Sequence, residues 1–149
     1  DFVREVSREL KFFMLKFDSS TGELRARMQS KIFHLDRLVK SEDLNHHRTL
    51  YAGRCAEWFV EAGFIAVASV LPPDRIVCLK IHGLTFTHPA RSGDIVRFQS
   101  KIIETGRTSL KVSVDLMIQD AAEPIVSGMI TFIHVNDLGR PEPHGLVLE

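Results

Sequence analysis

The sequence predicts an α+β domain in which one long buried helix lies against a curved antiparallel sheet. Two observations carry this expectation. The stretch from Leu44 to Val67 runs from a polar loop rich in Asn and His, through a small-residue turn at Ala52-Gly53, into a helix that is apolar nearly all round. Such a helix must be wrapped by something. From Arg75 onward the chain reads almost entirely as strands joined by short turns, and these supply the wrapping.

Taken in order, residues 2 to 17 come first. Phe2, Val3, Val6, Leu10, Phe13, Met14 and Phe17 recur at spacings of three and four, which predicts an amphipathic helix. It would pack on the domain or on an oligomer partner, or link to a domain upstream. Ser19 to Gly22 ends it, so residues 1–24 are expected as a helical extension and 25–149 as the main domain. Arg25 to Leu38 reads as extended. The central helix is expected to begin near Gly53 and to stop before Pro72-Pro73-Asp74. Val77, Leu79 and Ile81 then alternate with polar neighbours, and Gly83 suggests a bulge. His88 to Asp94 is a turn. Val96 to Ile102 alternates, Glu104 to Arg107 turns back, and Leu110 to Ile118 is the cleanest period-two run in the chain. Val126 to Val135 is the last expected strand.

The 149 residues suit one domain with a proper core. Lys plus Arg and Asp plus Glu balance at 19 each, so no net charge calls for nucleic acid or an anionic membrane. The longest apolar run, Phe64 to Leu71, is too short to span a bilayer. Cys55 and Cys78 stand far apart without metal-ligand spacing, so neither a metal site nor a disulfide framework is expected, and a cytoplasmic location is. The chain begins at Asp1 and ends Leu148-Glu149, which read as trimmed ends, the last two residues as a vector remnant. One helix cannot cover both faces of a sheet this rich in Val, Ile and Phe, so at least a homodimer is expected.

A buried helix entered through a polar, Gly-containing turn sets free backbone N–H groups and a positive dipole end beside polar side chains. That is a place to polarise a carbonyl. Glu57 and Glu61 follow on the helix. Because Trp58, Phe59, Val60 and Phe64 leave little exposed surface around them, a carboxylate there is expected to have a raised pKa, as a general base needs. An ordinary Glu pair on the more polar side of the helix is the competing reading.

The succession DLNHHRTLYAG, AEWFVEAG, THPARSGDIVRF, GRTSLKVSVDL and SGMITFIHV resembles the hotdog-fold acyl-CoA thioesterases, over roughly residues 26 to 135. The resemblance implies a hotdog fold and hydrolysis of an acyl-CoA to free acid and CoA. CoA then belongs to the substrate, and no cofactor is implied. It also implies a homo-oligomer, whether dimer, tetramer or hexamer. In such enzymes an Asn before the helix helps place the thioester or the attacking water, and Asn45 matches it. The family's helix-opening turn is commonly His-Gly-Gly. Here Tyr51-Ala52-Gly53 stands there, and backbone donors at Ala52 and Gly53 serve equally, each worth ~3 kcal/mol to a transition state.

One departure concerns the carboxylate. The family commonly places Asp where this chain has Val60. Glu57 lies three residues earlier, about 60° around the helix axis and ~4.5 Å nearer its N-terminus. Being one methylene longer than Asp, Glu57 is favoured as base or nucleophile over Glu61. Among substrate contacts, His47 is a candidate to bind substrate or to orient Asn45, against the reading of a solvated loop histidine. Arg91, and Arg107 with Thr108 and Ser109, resemble regions such folds use near CoA, where a guanidinium suits phosphate. A second reading is a non-catalytic acyl-CoA-binding regulatory domain, for which Val60 leaves room. A hydratase or dehydratase, with His47 and Glu57 as its pair, imitates that pattern poorly.

Overall fold

The computed structural model describes residues 14–119 and 121–149. Its elements are β1 (Met14–Asp18), β2 (Glu23–Met28), β3 (Ile32–Leu38), α1 (Ala52–Ala68), β4 (Ile76–Phe86), β5 (Ile95–Thr105), β6 (Ser109–Ile118), β7 (Val126–His134) and β8 (Leu146–Leu148). Strands β3 to β7 form one antiparallel sheet in the order β3-β5-β6-β7-β4. The helix lies across it. This is the hotdog arrangement.

Helix α1 buries Cys55, Trp58, Phe59, Ala62, Gly63, Ala66 and Val67. These alternate at spacings of three and one, which draws a single stripe down the cylinder. The opposing stripe, Gly53, Glu57, Glu61 and Ile65, is exposed in the single chain. At the C-terminal end the Ser69 hydroxyl donates to the Ala66 carbonyl at 2.6 Å, and Pro72 and Pro73 prevent continuation.

The sheet presents its alternating apolar set to this stripe. Val96, Phe98 and Ile102 of β5, Leu110, Val112, Val114 and Leu116 of β6, and Ile130 and Phe132 of β7 are all buried. The period-two runs read from sequence therefore fix which face meets the helix. Trp58 meets Phe98 edge-on with ring centroids 6.4 Å apart. At Gly128 the approach is closest. A Cβ there would strike the Gly83 carbonyl oxygen and lie 2.9 Å from the Phe59 ring. The β4–β7 register shifts between Ile81 and Leu84, and Gly83 adopts φ 112°. The expected bulge is there, and it brings two glycines face to face beneath Phe59.

The N-terminal expectation is corrected in part. Met14–Asp18 is a strand, not the end of a helix, and pairs with β2 from Met14↔Arg27 to Asp18↔Glu23. A stretch this short satisfies both periods, because Leu15 and Phe17 also stand two apart, and the available partner strand decides. The remainder of the expected helix, residues 2–13, lies outside the described residues. Strand β2 runs through residues 24 and 25, where the boundary between extension and main domain was expected.

A second small sheet, β1-β2-β8, was not anticipated from the sequence. Strand β8 runs parallel to β2, and Leu146 is buried in the main core. Leu148, read from sequence as a remnant, pairs with Met28. His144 pins this segment. Its Nε2–H donates to the Ser109 carbonyl at 3.0 Å, and its Nδ1 accepts the Leu146 N–H at 2.9 Å.

Candidate active site at the helix N-terminus

Asn45 closes a tight turn before the helix. Its side-chain oxygen accepts the backbone N–H groups of His47 at 2.9 Å and Thr49 at 3.2 Å, and its amide donates to Thr49 Oγ1 at 3.1 Å. The second amide proton has no partner in this turn. Arg48, at the tip, takes φ 62°, a left-handed conformation that costs a non-glycine residue about 1 kcal/mol or more.

The turn is tied to a distant part of the sequence. Thr49 and Arg91 form an antiparallel β-bridge, and the Leu50 N–H donates to the Ala90 carbonyl at 2.8 Å. Arg91 in turn donates its N–H to the Asp94 carboxylate at 2.7 Å, which closes the HPARSGD turn. Asn45, Arg91 and the start of α1 therefore share one end of the sheet.

Helix α1 opens there with Ala52 and Gly53 exposed and no side-chain cap on Tyr51. Their N–H groups have no intrahelical acceptor, so they are available to an oxygen from outside. The Tyr51 ring lies over Gly53, where a Cβ would meet it unless the exposed ring swung aside. Beside it lies a cavity of about 260 Å³ lined by Thr49, Leu50, Cys55, Phe86, Ile125 and Val126. Burial pushes the Cys55 thiol up to about 12, so it is not the nucleophile at neutral pH.

The two helix carboxylates are placed differently from the expectation. The Glu57 side chain is 66% exposed in the single chain, and its carboxylate lies 3.4 Å from the Arg54 guanidinium. The neighbouring apolar residues named in the sequence point away from it, into the core, so they do not take Glu57 out of water. Glu61 pairs with Arg37 of β3, whose guanidinium sits 5.6 Å from the centroid of the Trp58 ring. That engages Glu61 in fixing helix to strand. His47 is exposed and stacks loosely on His46, with centroids 3.9 Å apart.

Arg107, Thr108 and Ser109 lie elsewhere. They follow the far end of β5, whose 11 residues separate them from Arg91 by roughly 35 Å. The C-terminal segment covers this turn: His144 contacts the Arg107 and Ser109 carbonyls, and the Leu148 N–H donates to Thr105 Oγ1 at 3.2 Å. Within one chain, Arg91 and Arg107 cannot hold the same phosphate.

Two residues of this region were missed from sequence. Asp43 is only 4% exposed, accepts the Lys40 N–H at 2.9 Å, and lies 3.3 Å from Arg54 Nε. An acidic residue in a polar loop reads as solvated, and only the fold reveals its burial. Arg54 reads as an ordinary charge on the first helical turn.

The model for the thioesterase superfamily matches residues 47–125, which is more than half the chain. The chain belongs to the thioesterase superfamily. Among curated proteins it is 24% identical over 116 residues to the acyl-CoA thioester hydrolase YciA of Salmonella typhimurium, covering 71% of this chain and 84% of that protein. Its fold matches a hexameric hotdog-fold thioesterase of Campylobacter jejuni with TM-score 0.65 at 26% identity, over 73% of this chain and 86% of that one. It also matches an acyl-CoA hydrolase of Staphylococcus aureus, solved with butyryl-CoA and CoA, with TM-score 0.69 at 24% identity, over 79% and 72% of the two chains.

Proposed function

We propose that this member of the thioesterase superfamily hydrolyses acyl-CoA thioesters to free acid and CoA. The observation that carries the reading is the uncapped start of α1, with Ala52 and Gly53 exposed beside the Asn45 turn. The thioester carbonyl accepts hydrogen bonds from these backbone donors, which gain strength as its oxygen becomes negative. Asn45 uses its second amide proton to place the thioester or the water. Glu57 takes a proton from the attacking water, and the sulfur leaves as CoA. Arg91, at the same end of the sheet, meets the CoA phosphates. Arg107, Thr108 and Ser109 contact CoA only if a second copy brings them to this end.

The protein works as a homo-oligomer. Edge strand β4 exposes Val77, Leu79 and Ile81 at 49%, 64% and 43%, an open apolar edge that a second copy would cover. The exposed stripe of α1 bearing Glu57 would leave water in the same way. The two unpaired cysteines suit the reducing cytoplasm.

A non-catalytic acyl-CoA-binding domain is the second reading, favoured by one observation: both helix carboxylates are held in ion pairs with arginines. Release of free thiol from an acyl-CoA by the purified protein separates the two. Hydrolysis gives continuous turnover, whereas the binding domain gives saturable binding without thiol.

A further inference from the structure

Asp43 and Arg54 join the loop before the helix to the carboxylate on its second turn. Arg54 Nε lies 3.3 Å from Asp43 Oδ1, and Arg54 Nη1 lies 3.4 Å from Glu57 Oε2. The two ends of this chain are unequal. Asp43 is 4% exposed and Glu57 66%. A buried carboxylate carries a desolvation penalty that must be offset by hydrogen bonds and an opposite charge. Asp43 has one of each: the Lys40 N–H at 2.9 Å and the Arg54 guanidinium. An exposed pair such as Arg54–Glu57 holds weakly on its own. Its geometry is fixed only if something else fixes the arginine.

We propose that Asp43 is a positioning residue for the reaction, which acts through Arg54 to hold the Glu57 carboxylate at the opening of the helix. The proposal rests on the reading of Glu57 as the base. Asp43 touches no reacting atom. Its backbone ties it to the same place: its carbonyl accepts the Tyr51 N–H at 2.9 Å, at the residue just before α1. Loop, helix start and carboxylate are thereby set by one buried side chain.

A double-mutant cycle on turnover tests this, because residues that act through one another give non-additive losses. In full-length protein, Asp43→Asn should lower kcat about fivefold or more with KM nearly unchanged. In the Glu57→Gln background the same substitution should cost less than about twofold. Arg54→Gln, run through the same cycle, should behave alike, and serves if Asp43→Asn does not fold. A purely structural Asp43 would multiply the two losses. Multiplying losses, or an Asp43→Asn variant with parental kcat, overturns the positioning role and leaves Glu57 as base. An unchanged kcat in Glu57→Gln alone overturns the base itself, and the positioning role with it.

Discussion

The backbones of Thr49 and Arg91, 42 positions apart in the sequence, pair across an antiparallel bridge at the opening of α1. That bridge holds the Asn45 turn against the HPARSGD turn. It also separates two arginines that look equivalent in the sequence, since Arg107 lies at the opposite end of β5.

Arg91 and Arg107 should therefore respond differently to substitution. Arg91→Ala is expected to raise KM severalfold with kcat nearly unchanged, and to flatten the salt dependence of KM, because an exposed charge contact is screened. Arg107→Ala should do the same only in an oligomer that brings a neighbour's turn to this site. Steady-state kinetics at low and high salt check both. If neither substitution alters KM or its salt dependence, both are ordinary solvated turn arginines.

Leu79→Lys should shift the protein toward monomer. Leu79 is 64% exposed on the free edge of the sheet, and a lysine at an edge discourages pairing. Light scattering at micromolar concentration reads the mass. A parent protein that is already monomeric rules out the oligomer.

Gly128→Ala should destabilise the fold by about 1–3 kcal/mol, the usual penalty for overpacking. The added methyl group has the Gly83 carbonyl and the Phe59 ring in its way. Urea denaturation gives the value, and a change near zero would mean that β4 gives way at its bulge.

How far the sequence revealed these features depended on how local their causes are. The period-two runs of β5 and β6 and the bulge at Gly83 follow from neighbouring residues, and the fold has them. So does the central helix, which starts beside Gly53 and stops before Pro72. Strand β1 was misread because five residues satisfy either period until a partner strand chooses. Strand β8 was missed because three residues give no periodicity at all, and its hold comes from pairing with the distant β2 and from His144, which reaches the Ser109 carbonyl 35 residues earlier. The Asn45 loop was legible as a polar turn leading into the helix, and the fold has that turn. The burial of Asp43 was not, because exposure is a property of the packed chain.

His144 makes stability depend on pH. Burial lowers its pKa below the ordinary value of about 6.5. The unfolded chain therefore takes up a proton before the folded one does. The stability gained from neutral His144 is complete above about pH 6.5 and is lost as pH falls from there toward the folded pKa. Protonation at Nδ1 also ends its acceptance of the Leu146 N–H. Urea denaturation of the parent and His144→Gln at pH 7.5 and 5.5 should show a smaller pH-dependent loss in the variant. Equal losses would place the pH dependence elsewhere.

The central claim is hydrolysis at the start of α1 with Glu57 as base, and free-thiol release tests it most directly. A panel of acyl-CoAs is offered to the parent protein and to Glu57→Gln. The account predicts sustained thiol release by the parent on at least one acyl-CoA. It also predicts a loss of at least about tenfold in kcat for the variant, since general-base catalysis is worth ~10²–10⁴. No thiol release by the folded parent from any acyl-CoA would contradict the claim of hydrolysis. Unchanged turnover in the variant would contradict the assignment of Glu57.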